Sequence, residues 1–189
     1  MRKPVRLITI GGSAGSLQPI LKTLGFLKAP YSIPVLLVLH RTLDFDSSLA
    51  ELLSIKTKLI PREIEEKDKI EPGMVYICPA DYHVLIERDH TFSLDESEKV
   101  NFSRPSIDVV FKSAAEALQR ELVCVLLSGA NADGAKGLRL AKSLGSITVV
   151  QSPEDAQVPF MPQQALKLME ADHVLDSNQI AGFLNSLVL

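Results

Sequence analysis

Three polar residues stand just past apolar runs. Ser13 lies within Gly11-Gly12-Ser13-Ala14-Gly15, His40 follows Val35–Leu39, and Asp133 lies within Ser128–Ala135. A hydroxyl, an imidazole and a carboxylate are what an acyl-transfer hydrolase combines: a nucleophile, a proton carrier and an acid that orients the ring. A G-x-S-x-G turn lifts its serine clear of a strand-to-helix junction. The amides that open the following helix then form a ready oxyanion site. A glycine-rich turn of this kind can instead cradle a phosphate, with Ser13 as one ligand among several. The dinucleotide fingerprint G-x-G-x-x-G is not matched, because serine occupies positions 13 and 16. On its own, His40 reads as a packed or capping residue; emergence at the sheet edge it shares with Ser13 adds the reading of a base that can take the hydroxyl proton. Asp133, beside Gly134, also fits a helix cap.

These residues need a scaffold that brings strand ends together. Val5–Ile10 and Val35–Leu39 are continuous apolar runs rich in β-branched residues, the pattern of strands covered on both faces. Ser16 is placed to cap a helix running to about Leu27, and Ser47–Ile55 reads as a short helix. Residues 62–71 are densely charged and fit a solvated loop or edge strand. Met74–Cys78, Tyr82–Arg88 and Thr91–Leu94 read as short strands, with a tight turn at Arg88-Asp89-His90. Ile107, Val110, Phe111, Ala114, Ala115 and Leu118 form a helical stripe. Strand–helix alternation then resumes: strands at Leu122–Leu127, Ile147–Val150 and His173–Leu175, and helices at Ala135–Leu144, Pro162–Ala171 and from Ser177 to about Leu187. The expected fold is α/β: a doubly wound, mostly parallel sheet with helices on both faces and an antiparallel hairpin inserted near residues 74–94. Sites in such sheets form beyond the carboxyl ends of the strands.

At 189 residues a single domain with a sizeable core is expected. A net charge of −3 without a basic tract argues against a nucleic-acid partner. Met1–Pro4 leads into too short an apolar run for a signal peptide, and no stretch reaches membrane-spanning length, so the expected compartment is the cytoplasm. Cys78 and Cys124 sit among apolar neighbours and read as reduced core thiols. No spacing suggests a metal. His83 opens the hairpin and could border a cleft, whereas His90 and His173 read as structural.

The chain resembles the catalytic domain of the bacterial chemotaxis protein-glutamate methylesterase (CheB-type) family. The resemblance rests on Ile10–Gly15, Val38-Leu39-His40, Pro79–His83, Arg104–Phe111, Leu127–Gly129 with Asp133-Gly134-Ala135, and Val158–Pro162, in the family's order. It implies a serine hydrolase of γ-glutamyl methyl esters on chemoreceptor helices, with glutamine deamidation in some members. Ser13 would be the nucleophile, His40 the general base and acid, and Asp133 the orienting carboxylate. Gly12, Ala14, Gly15, Gly129 and Ala130 would form the oxyanion- and substrate-binding surface, with the Ala14 amide as one donor. No metal or organic cofactor is implied. The implied partner is a methyl-accepting chemoreceptor or similar signalling protein, with a receiver domain or a methyltransferase acting in trans. Residues 1–189 would then be one catalytic domain without the receiver domain that typically precedes it.

Ala14, Ala130 and Asn131 depart from the family's usual Thr, Met and Gly. They motivate a second reading, a weak or inactive methylesterase-like module that binds receptors or a signalling partner. A third is a phosphate or nucleotide binder built on the turns at 11–15 and 129–134.

Overall fold

The computed structural model describes residues 4–40 and 46–188; the Met1–Lys3 segment considered above lies outside them. Seven strands form one sheet: β1 (Leu7–Gly12), β2 (Val35–Leu39), β3 (Ile60–Glu63), β4 (Met74–Ile77), β7 (Leu122–Leu126), β8 (Ile147–Gln151) and β9 (His173–Leu175). Their order is β3-β4-β2-β1-β7-β8-β9, and every pairing in it is parallel. From β1 the chain winds outward through β2 to one edge, then crosses back to β7 and winds to the other. The direction of winding therefore reverses beside β1, where loops diverge and a crevice opens.

Alternation along the strands sorts the core into two layers. Leu7, Leu36, Val38, Leu122, Cys124 and Leu126 face α3 (Ile107–Leu118), α4 (Ala135–Ser143) and α5 (Phe160–Leu168). Ile8, Ile10, Val35, Leu37, Val123 and Val125 face α1 (Leu17–Gly25), α2 (Asp46–Lys56) and α6 (Ser177–Asn185). Because apolar side chains project from both faces, the strands read in sequence as unbroken apolar runs.

The inserted hairpin is narrower than expected. Met74–Ile77 belongs to the main sheet, where the edge strand β3 pairs with it. The hairpin proper is β5 (His83–Ile86) with β6 (Phe92–Asp95), a separate two-stranded sheet. It is held as a satellite by apolar contact: Val84, Ile86 and Phe92 are buried in the α3 layer, and the Phe92 ring meets Tyr76 edge-on at 4.9 Å. Two caps also differ. The Ser16 hydroxyl donates to the Ser13 carbonyl at 2.6 Å instead of capping α1, and Asp176, not Ser177, caps α6 through a reciprocal box with Gln179. Helix α5 starts two residues before Pro162.

Gly11 is where sheet and site meet. A Cβ at this position would run into Ile107 Cγ2 and approach the Phe111 ring at 3.2 Å. Its absence lets the N-terminus of α3 rest directly on the end of β1. Gly11→Ala should therefore lower stability in urea unfolding by about 1–3 kcal/mol. Adding Ile107→Ala should recover part of that loss in a double-mutant cycle; strict additivity would contradict the steric account.

Candidate active site

The three strands that precede Ser13, His40 and Asp133 are neighbours: β2, β1 and β7 lie side by side. Gly12 pairs with Leu39 and Gly11 with Leu126, so all three chains leave the sheet at one level. The ladder continues one step further. The His40 amide donates to Gly12 O at 3.3 Å and the Ser13 amide to Ser128 O at 2.9 Å. The turn after β1 is closed by Gly15 at φ 78°, a left-handed conformation natural to glycine. Ser128 clamps it from the next strand, its hydroxyl donating to Ala14 O at 2.7 Å and accepting from the Val158 amide at 2.9 Å.

His40 and Asp133 are joined directly. His40 Nε2 lies 2.7 Å from Asp133 Oδ2, with the imidazole 12% exposed and the carboxylate completely buried. Asp133 is encircled by donors: Asn101 Nδ2 at 2.9 Å, the Ser106 hydroxyl at 2.8 Å, and the amides of Ile107, Asp108 and Gly134 at 2.7, 3.1 and 3.1 Å. Two of these amides open α3, whose N-terminal dipole favours an anion there. Burial pushes the carboxyl pKa up, but the bonds from His40, Asn101, Asp108 and Ile107 outweigh it and hold it below the usual range. An ionised Asp133 accepts, so Nε2 carries the imidazole proton and Nδ1 presents a lone pair.

Ser13 and His40 line one cleft of about 570 Å³, walled by Leu17, Leu39, Leu49, Leu52 and Phe102. Among the described residues the Ser13 hydroxyl has no hydrogen-bond partner. Catalytic hydrogen bonds are commonly long in an unliganded enzyme and tighten with substrate. Phe102, at the rim, is fully exposed with φ 63°.

The remaining residues singled out in the sequence divide. The Ala14 and Ala130 amides engage no protein acceptor among the described residues. Gly129 is different: its amide donates to Val158 O at 3.0 Å, so it is not a free oxyanion donor. A Cβ there would meet the Sδ and Cε end of Met161, so that side chain would have to move aside. Gly12 packs likewise, a Cβ meeting Ser16 Oγ at 2.7 Å. Asn131 accepts the Asp133 amide at 3.0 Å, a local turn that fixes the loop backbone. His83 does not border the cleft; it is buried, bonded to the Ser106 amide at 3.2 Å and Glu98 O at 2.9 Å. His90 contacts Arg6, and the His173 ring meets Phe183 at a tilt of 46°. Both cysteines are buried in the core, and burial pushes the Cys124 thiol up to about 12. Among the described residues no group of three or more His, Cys, Asp or Glu could hold a metal, and no helix is long and apolar enough to cross a membrane.

Sequence reasoning gave no role to Asn101, Ser106 or Asp108, all of which surround Asp133. One signal was available: Ser106 directly before the apolar stripe is an N-cap signature. Its hydroxyl does face the Val109 amide while donating to Asp133.

Fold and site define an α/β protein that gathers a serine, an imidazole and a buried carboxylate at one strand-end crevice. Residues 8–184 match the CheB methylesterase family. A putative protein-glutamate methylesterase/protein-glutamine glutaminase of Leptospira interrogans is 42% identical over 174 residues, covering 92% of this chain and 90% of that protein. The corresponding Geobacter metallireducens protein is 33% identical over 98% of this chain but only 54% of its own length. The crystal structure of the Thermotoga maritima CheB methylesterase catalytic domain superposes with a TM-score of 0.93 at 30% identity, covering 98% of this chain and all of that one. The chain belongs to the CheB methylesterase family, a family of ester hydrolases.

The electrostatics carry a signed expectation. Asp133 is depressed in the fold, so its stabilisation is complete above the unfolded value near 3.9 and is lost as pH falls through the folded value. Asp108, raised by burial and by the charge of Asp133, works in the opposite sense. Asp155 and Asp172 are also depressed, burial being outweighed by their hydrogen bonds, and share the acid slope. Urea unfolding from pH 7 to 3 should show stability falling below about pH 4, and Asp133→Asn should shallow that fall. An unchanged slope would contradict an ionised Asp133.

Proposed function

We propose that the chain is a serine esterase that removes methyl groups from glutamate γ-methyl esters of methyl-accepting chemoreceptors, and that it deamidates receptor glutamines by the same chemistry. The observation that carries this reading is the 2.7 Å bond between His40 Nε2 and the buried Asp133 carboxylate. It leaves Nδ1 as the proton acceptor in the cleft that Ser13 also lines. Ser13 Oγ attacks the ester carbonyl as its proton passes to His40 Nδ1, and negative charge develops on the carbonyl oxygen. The Ala14 and Ala130 amides receive that charge. The Asp133 carboxylate stabilises the imidazolium without itself taking the proton. Imidazolium then protonates the departing methoxide, releasing methanol. Water, deprotonated by His40, cleaves the acyl-enzyme to free glutamate and restore Ser13. With a glutamine the leaving group is ammonia.

The cleft can receive a side-chain ester presented by a protein. Its walls are apolar enough for a methyl group, and it is open toward the exposed Phe102 ring, where a protein surface can approach. Residues 1–189 act as one catalytic domain in this reading, in the cytoplasm, with a receiver domain or methyltransferase as candidate regulatory partners. Asn131 bonds the backbone of Asp133, which supports an intact site despite its departure from the family pattern.

Incubation with receptor carrying radiolabelled methyl esters should release labelled methanol. Ser13→Ala should abolish that release by several orders of magnitude, and Asp133→Asn should lower kcat by about 10³–10⁴-fold by favouring the wrong imidazole tautomer. Release by Ser13→Ala equal to wild type would refute the esterase. Phe102→Ala should raise KM for methylated receptor by a larger factor than it changes kcat/KM for p-nitrophenyl acetate. Equal loss on both esters would place Phe102 in the chemistry instead.

A further inference from the structure

One residue near the site joins two carboxylates. Asn101 occupies a tight turn closed by reciprocal bonds between Val100 and Ser103, amide to carbonyl, at 3.1 and 3.0 Å. Asn101 and Phe102 have φ of 52° and 63°, the consecutive positive values that a type I′ turn demands and asparagine tolerates well. From this turn the Asn101 amide reaches inward. Its Nδ2 lies 2.9 Å from Asp133 Oδ1 and 2.9 Å from Asp108 Oδ2. An amide nitrogen has two protons, and here each has a carboxylate to meet. The reverse orientation would set the amide oxygen against two acids, so electrostatics dictates the one observed.

The geometry around Asp133 makes this bridge consequential. Asp133 uses Oδ2 for His40 and the Ile107 amide, and Oδ1 for Asn101, Ser106, Asp108 and Gly134. Asp108 accepts the Gly137 amide at 2.6 Å, tying α3 to α4. Among the described residues Asn101 is the one side chain bonded to both acids. It separates two carboxylates that would otherwise repel, and it fixes the rotation of the Asp133 carboxylate about its Cβ–Cγ bond. That rotation sets where Oδ2 points, and so where the imidazole stands.

We propose that Asn101 is a positioning residue for the reaction: its amide clamps Asp133 against Asp108 so that Oδ2 holds the His40 ring in its working orientation. This rests on the esterase reading above, which gives the ring its task. Asn101 touches neither substrate nor the reacting atoms, so its effect passes wholly through Asp133.

Asn101→Gly isolates the amide, because glycine accepts the same left-handed backbone. With p-nitrophenyl acetate as probe, kcat should fall about 10- to 100-fold, the usual scale for losing an outer-shell partner, while KM stays constant. The acid limb of the kcat/KM profile should also move to higher pH. Without the donor, the charge on Asp133 is less neutralised and stabilises the His40 imidazolium more. Asn101→Asp, which is isosteric and equally at home at positive φ, replaces the donor with a third acid and should lose more. It supplies the same readouts if the glycine variant folds poorly. Wild-type kcat and an unmoved acid limb in either variant would overturn the proposal, as would a drop in melting temperature with no change in the profile. Ser13→Ala, run alongside, separates the two readings. If it is dead while Asn101→Gly is normal, only the clamp fails; if it keeps full activity, the esterase reading fails with it.

Discussion

The structure depends on a buried negative charge. An isolated carboxylate taken out of water would cost several kcal/mol or would take up a proton. Asp133 avoids both because donors from separate parts of the chain converge on it: the ring after β2, the turn at 100–103, the first residues of α3, and its own loop. Remove that convergence and the carboxylate neither stays ionised nor stays still. The imidazole that leans on it would then lose its orientation.

Much of the sheet can be understood as the means of assembling this shell. The reversal of winding beside β1 puts the ends of β2, β1 and β7 at one crevice. Close packing finishes the task. Where β1 lacks a side chain at Gly11, α3 comes down until its first amides reach Asp133, and Gly134 admits Ile107, a Cβ there standing 2.8 Å from its Cγ2. Those glycines trade local stability for proximity. The loop carrying Asp133 is braced from the far side by Val158 and Met161, bonded to Gly129 through both its amide and its carbonyl. The site is thus densely hydrogen-bonded and buried where charge must be held, and open at the rim, where Phe102 meets solvent.

The fold was legible in the sequence where physics is local. Apolar runs at 35–39 and 122–126 had to be covered strands, and the stripe from Ile107 to Leu118 had to be a helix. Less legible was the region from 60 to 77. There β3 carries Pro61 and charged residues, and β4 is only four residues long, so neither declares its place in the sheet. Parallel pairing of β3 with β4 is a tertiary choice. Ser13, His40 and Asp133 were legible because each follows a strand end. The donors around Asp133 were not, since Asn101 lies outside any regular element and three others are main-chain amides that carry no residue signature. The packing of Gly129 is also a tertiary matter: its amide bonds Val158 O and its bare Cα faces the Met161 side chain.

The orientation of the His40 ring is the point at which charge, fold and chemistry meet. Long-range ¹H–¹⁵N NMR of the histidine-labelled protein near neutral pH reads it directly. The account predicts that the neutral form of the His40 ring carries its proton at Nε2 and is bare at Nδ1, with the Nε2 proton shifted downfield by its bond to Asp133. A His40 protonated at Nδ1, with Nε2 free, would contradict it.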